Sequence, residues 1–297
     1  MRAICRLASI TALAPSLLLS GCFLFFTTRR LPVPMAPAVV QTVTPDQLVA
    51  HLNERWTALD TMTAKVEMLS SVLKTKEGLA KDYTRVGGII VMRKPAMLRV
   101  LGRAPVIGLE LFDMASDGKT FTLYIPSKNI AYKGSTAASK KSANQYENLR
   151  PGFFLDALVV RGLDPDEFYS VTSDSETIED TAKKHLYFVP EYILSVTRHI
   201  AGSHRDQPVR VITFHREDLL PYEQDLYDGE GNLETHVIYS DYKDFGSGLY
   251  PSTVTIKRPL EDSQIVMLVE KVAENVAVPA DEFEVHVPPD AQIKSLE

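Results

Sequence analysis

The chain has 297 residues, 45% of them hydrophobic, and a formal charge of −6. That is enough apolar chain to bury one sizeable core. The acidic balance argues against nucleic acid as a partner, because nucleic-acid binding rests on Lys and Arg set against phosphate.

The N-terminus reads in three parts. Arg2 and Arg6 make a basic start, and Leu7 to Leu19 is an apolar run. It is about 13 residues long, where a bilayer-crossing helix needs about 20; its length is that of a signal-peptide core. Small residues Ser20 and Gly21 then precede Cys22. Leu19-Ser20-Gly21-Cys22 resembles the lipobox of bacterial lipoproteins. The resemblance implies that residues 1–21 are removed, that the Cys22 thiol carries a diacylglyceryl group, and that the freed amine is acylated too. A plain signal peptide with an accidental cysteine is the alternative. The chain has two cysteines, Cys5 and Cys22. With Cys5 lost and Cys22 lipidated, the mature protein has no disulfide and no thiolate metal site. Two or three acyl chains anchor a protein firmly, at about 0.8 kcal/mol per buried methylene. The residue after Cys22 is Phe23 and not Asp, which by resemblance to known lipoproteins implies the outer membrane, facing the periplasm.

Phe23 to Thr44 reads as a tether, with Phe23, Leu24, Phe25 and Phe26 at the bilayer boundary and Arg29 and Arg30 near anionic headgroups. Pro32, Pro34 and Pro37 favour extended chain. A linker with no lipid contact of its own fits the same residues. The expected division is 1–21 signal, 22–43 lipidated cysteine and tether, and 44–297 a single folded domain.

A helix is predicted from Thr44. Thr44-Pro45-Asp46-Gln47 has the form of a capping box with Pro at the first helical position, and Val43 and Leu48 take hydrophobic-staple positions. Leu48, Val49, Leu52, Trp56 and Leu59 form its apolar face. From Met62 the period becomes two. Alternating segments run from Met62, then Tyr83 to Arg93, Met97 to Gly102, Leu109 to Ala115 and Lys119 to Ile125, with turns at Lys94-Pro95, Asp117-Gly118 and Pro126-Ser127. Thr136 to Asn144 reads as a loop. Pro151 to Arg161 is a helix apolar almost all round, with Gly162 as its C-cap; such a helix is deeply buried or covers a cavity. Strands resume at His185 to Ile193, Val209 to His215, Tyr222 to Tyr227, Leu233 to Tyr239, Thr253 to Lys257 and Gln264 to Lys271, with a hairpin turn at Asp228 to Asn232. About eleven strands with two or three helices predict a mainly β (α+β) fold: one large curved antiparallel sheet forming an incomplete barrel, lidded by the helices.

This order resembles the LolA and LolB lipoprotein-sorting family over roughly Thr44 to Ile293. The matching pieces are the opening helix, Asp117-Gly118-Lys119 leading into Phe121 to Pro126, Tyr222 to Asn232, Ile238 to Tyr242, Pro251 to Ile256 and the close Phe283 to Pro288. The Thr136 to Gly162 insertion and the Asp174 to Ala201 stretch make this chain longer than the sorting proteins. The resemblance implies a concave face that holds acyl chains, since hydrocarbon fills an apolar trough without demanding hydrogen bonds. The candidate lipid-lining residues are Val66, Met68, Ile89, Val91, Leu98, Val100, Leu109, Leu111, Phe121, Leu123, Phe153, Phe154, Leu158, Ile256 and Met267. Met68, Met92, Met97, Met114 and Met267 fall in predicted strands, where methionine adapts to a ligand or packs on the helices. The resemblance also implies an apolar loop that touches the bilayer; Val106 and Ile107 in Ala104-Pro105-Val106-Ile107-Gly108 are the candidates, with ordinary strand-end core residues as the alternative.

Catalytic motifs are absent: no G-x-S-x-G, no H-E-x-x-H, no P-loop and no dinucleotide fingerprint. His199 with His204 has no trusted metal spacing, His215 with Glu217 is a weak pair, and Asp164, Asp166 and Glu167 around Pro165 read as a turn or helix start. The expectation is a non-enzyme with no cofactor and no metal. It would bind a lipid or lipoprotein client, anchored to the membrane by its N-terminal lipid and receiving the client from a periplasmic carrier protein. The competing expectation is an envelope sensor or scaffold that binds a protein partner with the same fold. An open apolar tunnel favours the first, and a concave set packed solid favours the second. Labelled palmitate should attach to the wild-type chain and not to Cys22→Ala; equal labelling of both would remove Cys22 as the anchor.

Overall fold

The computed structural model describes residues 33–37, 39–74, 79–82, 85–136, 151–180 and 185–296. The signal segment 1–21, Cys22, the tether up to residue 32, Tyr83 and the loop after Thr136 lie outside the described residues. The chain divides into two units, Met1–Ala36 with Thr177–Phe188, and Pro37–Glu176 with Val189–Glu297. In the smaller unit Met35 pairs with Tyr187 as a parallel bridge, its N–H donating to the Leu186 carbonyl at 2.7 Å.

The larger unit opens with helix α1, Pro45–Ala58. The capping box forms: the Thr44 side chain accepts from the Gln47 N–H at 3.3 Å, and the Gln47 side chain accepts from the Thr44 N–H at 2.8 Å. The chain just before it is already pinned. Gln41 N–H donates to the Arg216 carbonyl at 2.7 Å, and Val43 N–H to the Tyr192 hydroxyl at 3.2 Å. Residues of the expected tether, Gln41 and Val43, are therefore bonded to the larger unit.

The eleven predicted strands are all present, as β1 (Thr61–Lys74), β3 (Val86–Arg93), β4 (Met97–Arg103), β5 (Glu110–Ser116), β6 (Thr120–Ile125), β9 (His185–His199), β10 (Asp206–His215), β11 (Pro221–Tyr227), β12 (Leu233–Asp244), β13 (Leu249–Arg258) and β14 (Ser263–Glu274). Four more were not expected: β2 (Leu79–Asp82), β7 (Ile130–Ser135), β8 (Glu167–Asp180) and β15 (Gln292–Leu296). They form one sheet in the order β15-β7-β6-β5-β4-β3-β1-β14-β13-β12-β11-β10-β9-β8, with β2 paired to β1 off this path. β15 runs parallel to β7, whereas the meander neighbours are antiparallel. The order has two free ends, so the sheet does not close.

It does bend. Helix α2, Pro151–Leu158, touches β4, β5 and β13, although three strands separate β4 from β13 in the order. Only a sheet curled around the helix allows that. Pairing aligns the buried residues into continuous rows: Tyr132, Leu123, Met114, Val100, Ile90 and Ala64 on one side, and Ile256, Val237, Gln224, Ile212 and Leu194 on the other. The fold is mainly β, an incomplete barrel lidded by helices.

Both helices are fixed to the inner face. Leu48, Val49 and Leu52 of α1 pack on Tyr192, Leu194, Ile212 and Phe214 of β9 and β10. Gln224, the one polar member of the inner rows, donates from Nε2 to the Asp156 carbonyl of α2 at 2.8 Å. At the other end of α2 the Arg258 guanidinium lies over the Phe153 ring, 4.5 Å from its centroid. α2 ends at Leu158, earlier than the expected Arg161, so Gly162 is not its cap. Gly162 instead permits a close crossing: a Cβ there would meet Asn53 Oδ1 at 2.7 Å and the Trp56 ring at 2.9 Å.

The Asp164–Glu167 cluster is a turn leading into β8, and its last member is structural. Glu167 Oε2 pairs with Arg210 Nη2 at 2.8 Å, with both side chains almost fully buried. The same Nη2 donates to the Gly162 carbonyl at 2.7 Å, tying the connector after α2 to β10. Burial, helped by the nearby Arg161 charge, pushes the Arg210 guanidinium below its ordinary value, and Glu167 opposes that shift. Removing one partner leaves a buried charge unpaired. Arg210→Ala should therefore lose about 3–5 kcal/mol in denaturant unfolding, whereas Arg210→Met with Glu167→Leu should recover most of the loss. A single variant as stable as the wild type would show that the pair is not needed.

Candidate functional site

α1 covers β9 and β10, α2 covers β4, β5 and β13, and the sheet surface between them is left uncovered. There the larger unit holds a cavity of about 520 Å³. One wall is Phe214, Leu219 and Pro221, where β10 turns into β11, and the others come from four places. α1 and the residues after it supply Leu52, Arg55, Trp56 and Leu59; the end of α2 supplies Leu158, Val159 and Val160; β12 and the following turn supply Tyr239, Tyr242, Ser247 and Gly248; and β13 and β14 supply Tyr250 and Glu274. Leu52, Leu158, Phe214 and Tyr239 are buried and make the floor, while Arg55, Ala58, Gly248 and Leu249 are exposed and make the rim.

The polar groups follow the same division. At the rim stand Arg55 and the Glu274 carboxyl, which burial pushes up and Arg55 draws down. On the floor are three tyrosines. Tyr250 donates to the Leu158 carbonyl at 2.7 Å, and Tyr242 donates to the Pro221 carbonyl. The Tyr239 hydroxyl, on a residue only 2% exposed, has no hydrogen-bond partner among the described residues. Burial drives the Tyr239 hydroxyl well above its ordinary pKa, so it stays protonated and can donate. Such a site suits an apolar guest with few polar atoms.

The sequence matches no protein-family model and no curated protein. Solved structures match it by fold. A LolA superfamily protein from Nitrosomonas europaea aligns at a TM-score of 0.51 and 13% identity, over 82% of this chain and 99% of that one. A DUF1329 family protein from Desulfovibrio piger aligns at a TM-score of 0.51 and 14% identity, over 80% of this chain and 95% of that one. This chain shares its fold with that LolA superfamily protein.

Within this LolA-type fold the expected lining residues separate. Val66, Met68, Leu98, Val100, Phe121, Leu123, Phe153, Phe154, Leu158, Ile256 and Met267 come together on the concave face, in one packed core around α2. Of these, Leu158 alone also lines the cavity. The other four need correcting. In β3 the core members are Ile90 and Met92, so Ile89 and Val91 point to the opposite face. In β5 Met114 faces the core, so Leu111 points away, and Leu109 precedes the strand and is 58% exposed. Val91 is nonetheless buried. On that convex side the segment Ala280–Phe283 approaches β4, where Arg99 pairs with Asp113 at 2.9 Å and donates to the Glu282 carbonyl at 3.0 Å. The bond to Asp113 raises the Arg99 guanidinium above its ordinary value.

The loop candidates are both outside. Val106 is fully exposed and Ile107 is 73% exposed, in a turn closed by Gly108 N–H donating to the Ala104 carbonyl at 3.1 Å. Val106 has φ 76°, a left-handed conformation costly for a β-branched residue, and it turns the side chain out of the sheet. His215 and Glu217 do not pair: β10 ends at His215, which stacks on Tyr222 with centroids 3.5 Å apart and sits 3.5 Å from Glu191. Among the described residues no helix is long and apolar enough to cross a membrane. The cavity was missed in the sequence because its walls are scattered over more than two hundred positions. The one available signal was the C-terminal part of the predicted apolar helix face, since Leu52, Trp56 and Leu59 all line the cavity.

Proposed function

We propose that this chain is an envelope lipoprotein, held at the outer membrane through Cys22 and facing the periplasm, that takes a lipid into the cavity between α1 and β12–β13 and passes it to or from the bilayer. The observation that carries this reading is an apolar cavity of about 520 Å³ inside a LolA-type fold, within the size range of small-molecule pockets. Val106 and Ile107 are then the contact with the bilayer, since two adjacent exposed apolar side chains on a tight turn suit an interface and not solvent. Transfer down an affinity gradient needs no nucleotide and no cofactor, and catalysis has no part in it.

One observation favours the second reading, a sensor or scaffold that binds a protein. The concave set around α2 is buried in one apolar cluster, and of its members Leu158 alone lines the cavity, so the set the sequence names is core before it is lining. The carrier reading rests instead on the cavity beside α1.

The experiment uses Trp56, the single tryptophan of the chain, which lines the cavity. Titrating the full chain with a fatty acid brominated along its tail should quench Trp56 emission to saturation near one equivalent, and unbrominated acid should reverse the quenching. Absence of quenching, with no displacement of a fluorescent fatty acid, would refute the carrier and leave the scaffold.

A further inference from the structure

The buried end of the cavity offers a charged group nothing. Two of the floor hydroxyls, on Tyr242 and Tyr250, already donate to backbone carbonyls, and the third, on Tyr239, is itself closed off from solvent. A charge taken down to that floor would lose its hydration with no replacement. The charged part of a guest therefore stays at the mouth.

The mouth is where the wall carries its own charge. His51 and Arg55 stand one helical turn apart on α1, and Glu274 lies at the end of β14. Of these, Arg55 alone is a permanent cation. It is exposed, and it forms no hydrogen bond and no salt bridge among the described residues. Its charge still reaches across the opening: burial pushes the Glu274 carboxyl and the Tyr242 hydroxyl up, and Arg55 draws both down. Nor is Arg55 needed to complete the helix. It stands in the last turn of α1, but Lys94 Nζ serves the carbonyls there, donating to Trp56 at 2.6 Å and to Thr57 at 3.4 Å. Arg55 is thus a cation without a bonded partner at the lip of an apolar space.

We infer that the cavity takes a single-chain lipid tail first and leaves an anionic oxygen head, a carboxylate or a phosphate, at the mouth against Arg55. The inference rests on the carrier reading and names the chemistry of its client. The planar guanidinium fork matches two oxygens of either head. A space of about 520 Å³ is of small-molecule size, which suits one chain and not the several chains of an acylated lipoprotein.

The test is titration calorimetry on the full chain with guests that share a ten-carbon tail: decanoate, decyl phosphate, decanol and decyltrimethylammonium. Each guest is compared between proteins, so that the hydration of its own head cancels. Arg55→Gln should weaken decanoate and decyl phosphate by about 2- to 5-fold, the worth of one exposed ion pair, and leave decanol unchanged. The anion that loses more names the head. Arg55→Glu should weaken both anions further and tighten decyltrimethylammonium. Added salt should weaken the anions in the wild type and not in Arg55→Gln. Both variants should unfold close to the wild-type temperature, since the side chain is exposed and unbonded. Anion affinities that survive Arg55→Gln, or a loss that decanol shares equally, overturn the inference while leaving the carrier intact. Binding of none of the guests by the wild type overturns the carrier reading itself.

Discussion

A helix of eight residues with no charged side chain but Asp156 cannot sit on a surface; it must be taken out of water on nearly every side. Pro151–Leu158 buries Pro151, Phe153, Phe154, Leu155, Ala157 and Leu158. One flat sheet covers one side of a helix. Covering two sides takes a sheet that bends, and here the bend brings β4, β5 and β13 onto the same helix. The rows of buried side chains across the strands, from Tyr132 to Leu194, follow from that requirement, because each strand must turn its alternate residues inward to keep the helix dry. The few polar contacts on the inner face, Gln224 to the Asp156 carbonyl and Tyr250 to the Leu158 carbonyl, fix where the helix sits along the trough.

The cavity is a consequence of length. Eight helical residues span about 12 Å, and α2 meets β4, β5 and β13. α1 covers β9 and β10, held there by Leu48, Val49 and Leu52. Between the two helices the chain passes close under Trp56 at Gly162, and the inner face of β12 and β13 meets neither helix fully. The buried pair of Glu167 and Arg210 holds this connector in place, so the gap is a built feature and not a packing accident. A void of this kind can stay empty or admit an apolar guest, but it cannot be filled by rearranging a core that is packed elsewhere.

Most of the sheet was legible because a half-buried strand alternates. Phe121, Leu123 and Ile125 against Thr120 and Thr122 is such a pattern, and β6 lies where it predicts. The strands that escaped lack it. β8 is exposed at most of its positions, and β15 is a parallel edge strand with four of its five residues exposed. The wrong face for Ile89 and Val91 has a local cause. Ile89, Ile90, Val91 and Met92 are apolar on both sides, so alternation gives no direction. The clue was Gly88: a Cβ there would meet Met68 at 2.6 Å and Val66 at 3.1 Å, so the small residue marks the crowded inner side and Ile90 and Met92 follow it. The capping box at Thr44 was readable from four residues. The cavity was not, since it depends on where two helices stop, and helix ends are weakly written in sequence.

The central claim is that hydrocarbon occupies the space between α1 and β12–β13. The most direct measurement is to purify the full chain from a bacterial envelope, extract it with organic solvent and weigh what is released against protein by mass spectrometry. The account predicts close to one molecule of a single lipid class per chain, lost when Leu52→Trp and Leu59→Trp fill the cavity of a chain that still folds. A protein that yields no lipid, or yields the same amount after the cavity is filled, would contradict it.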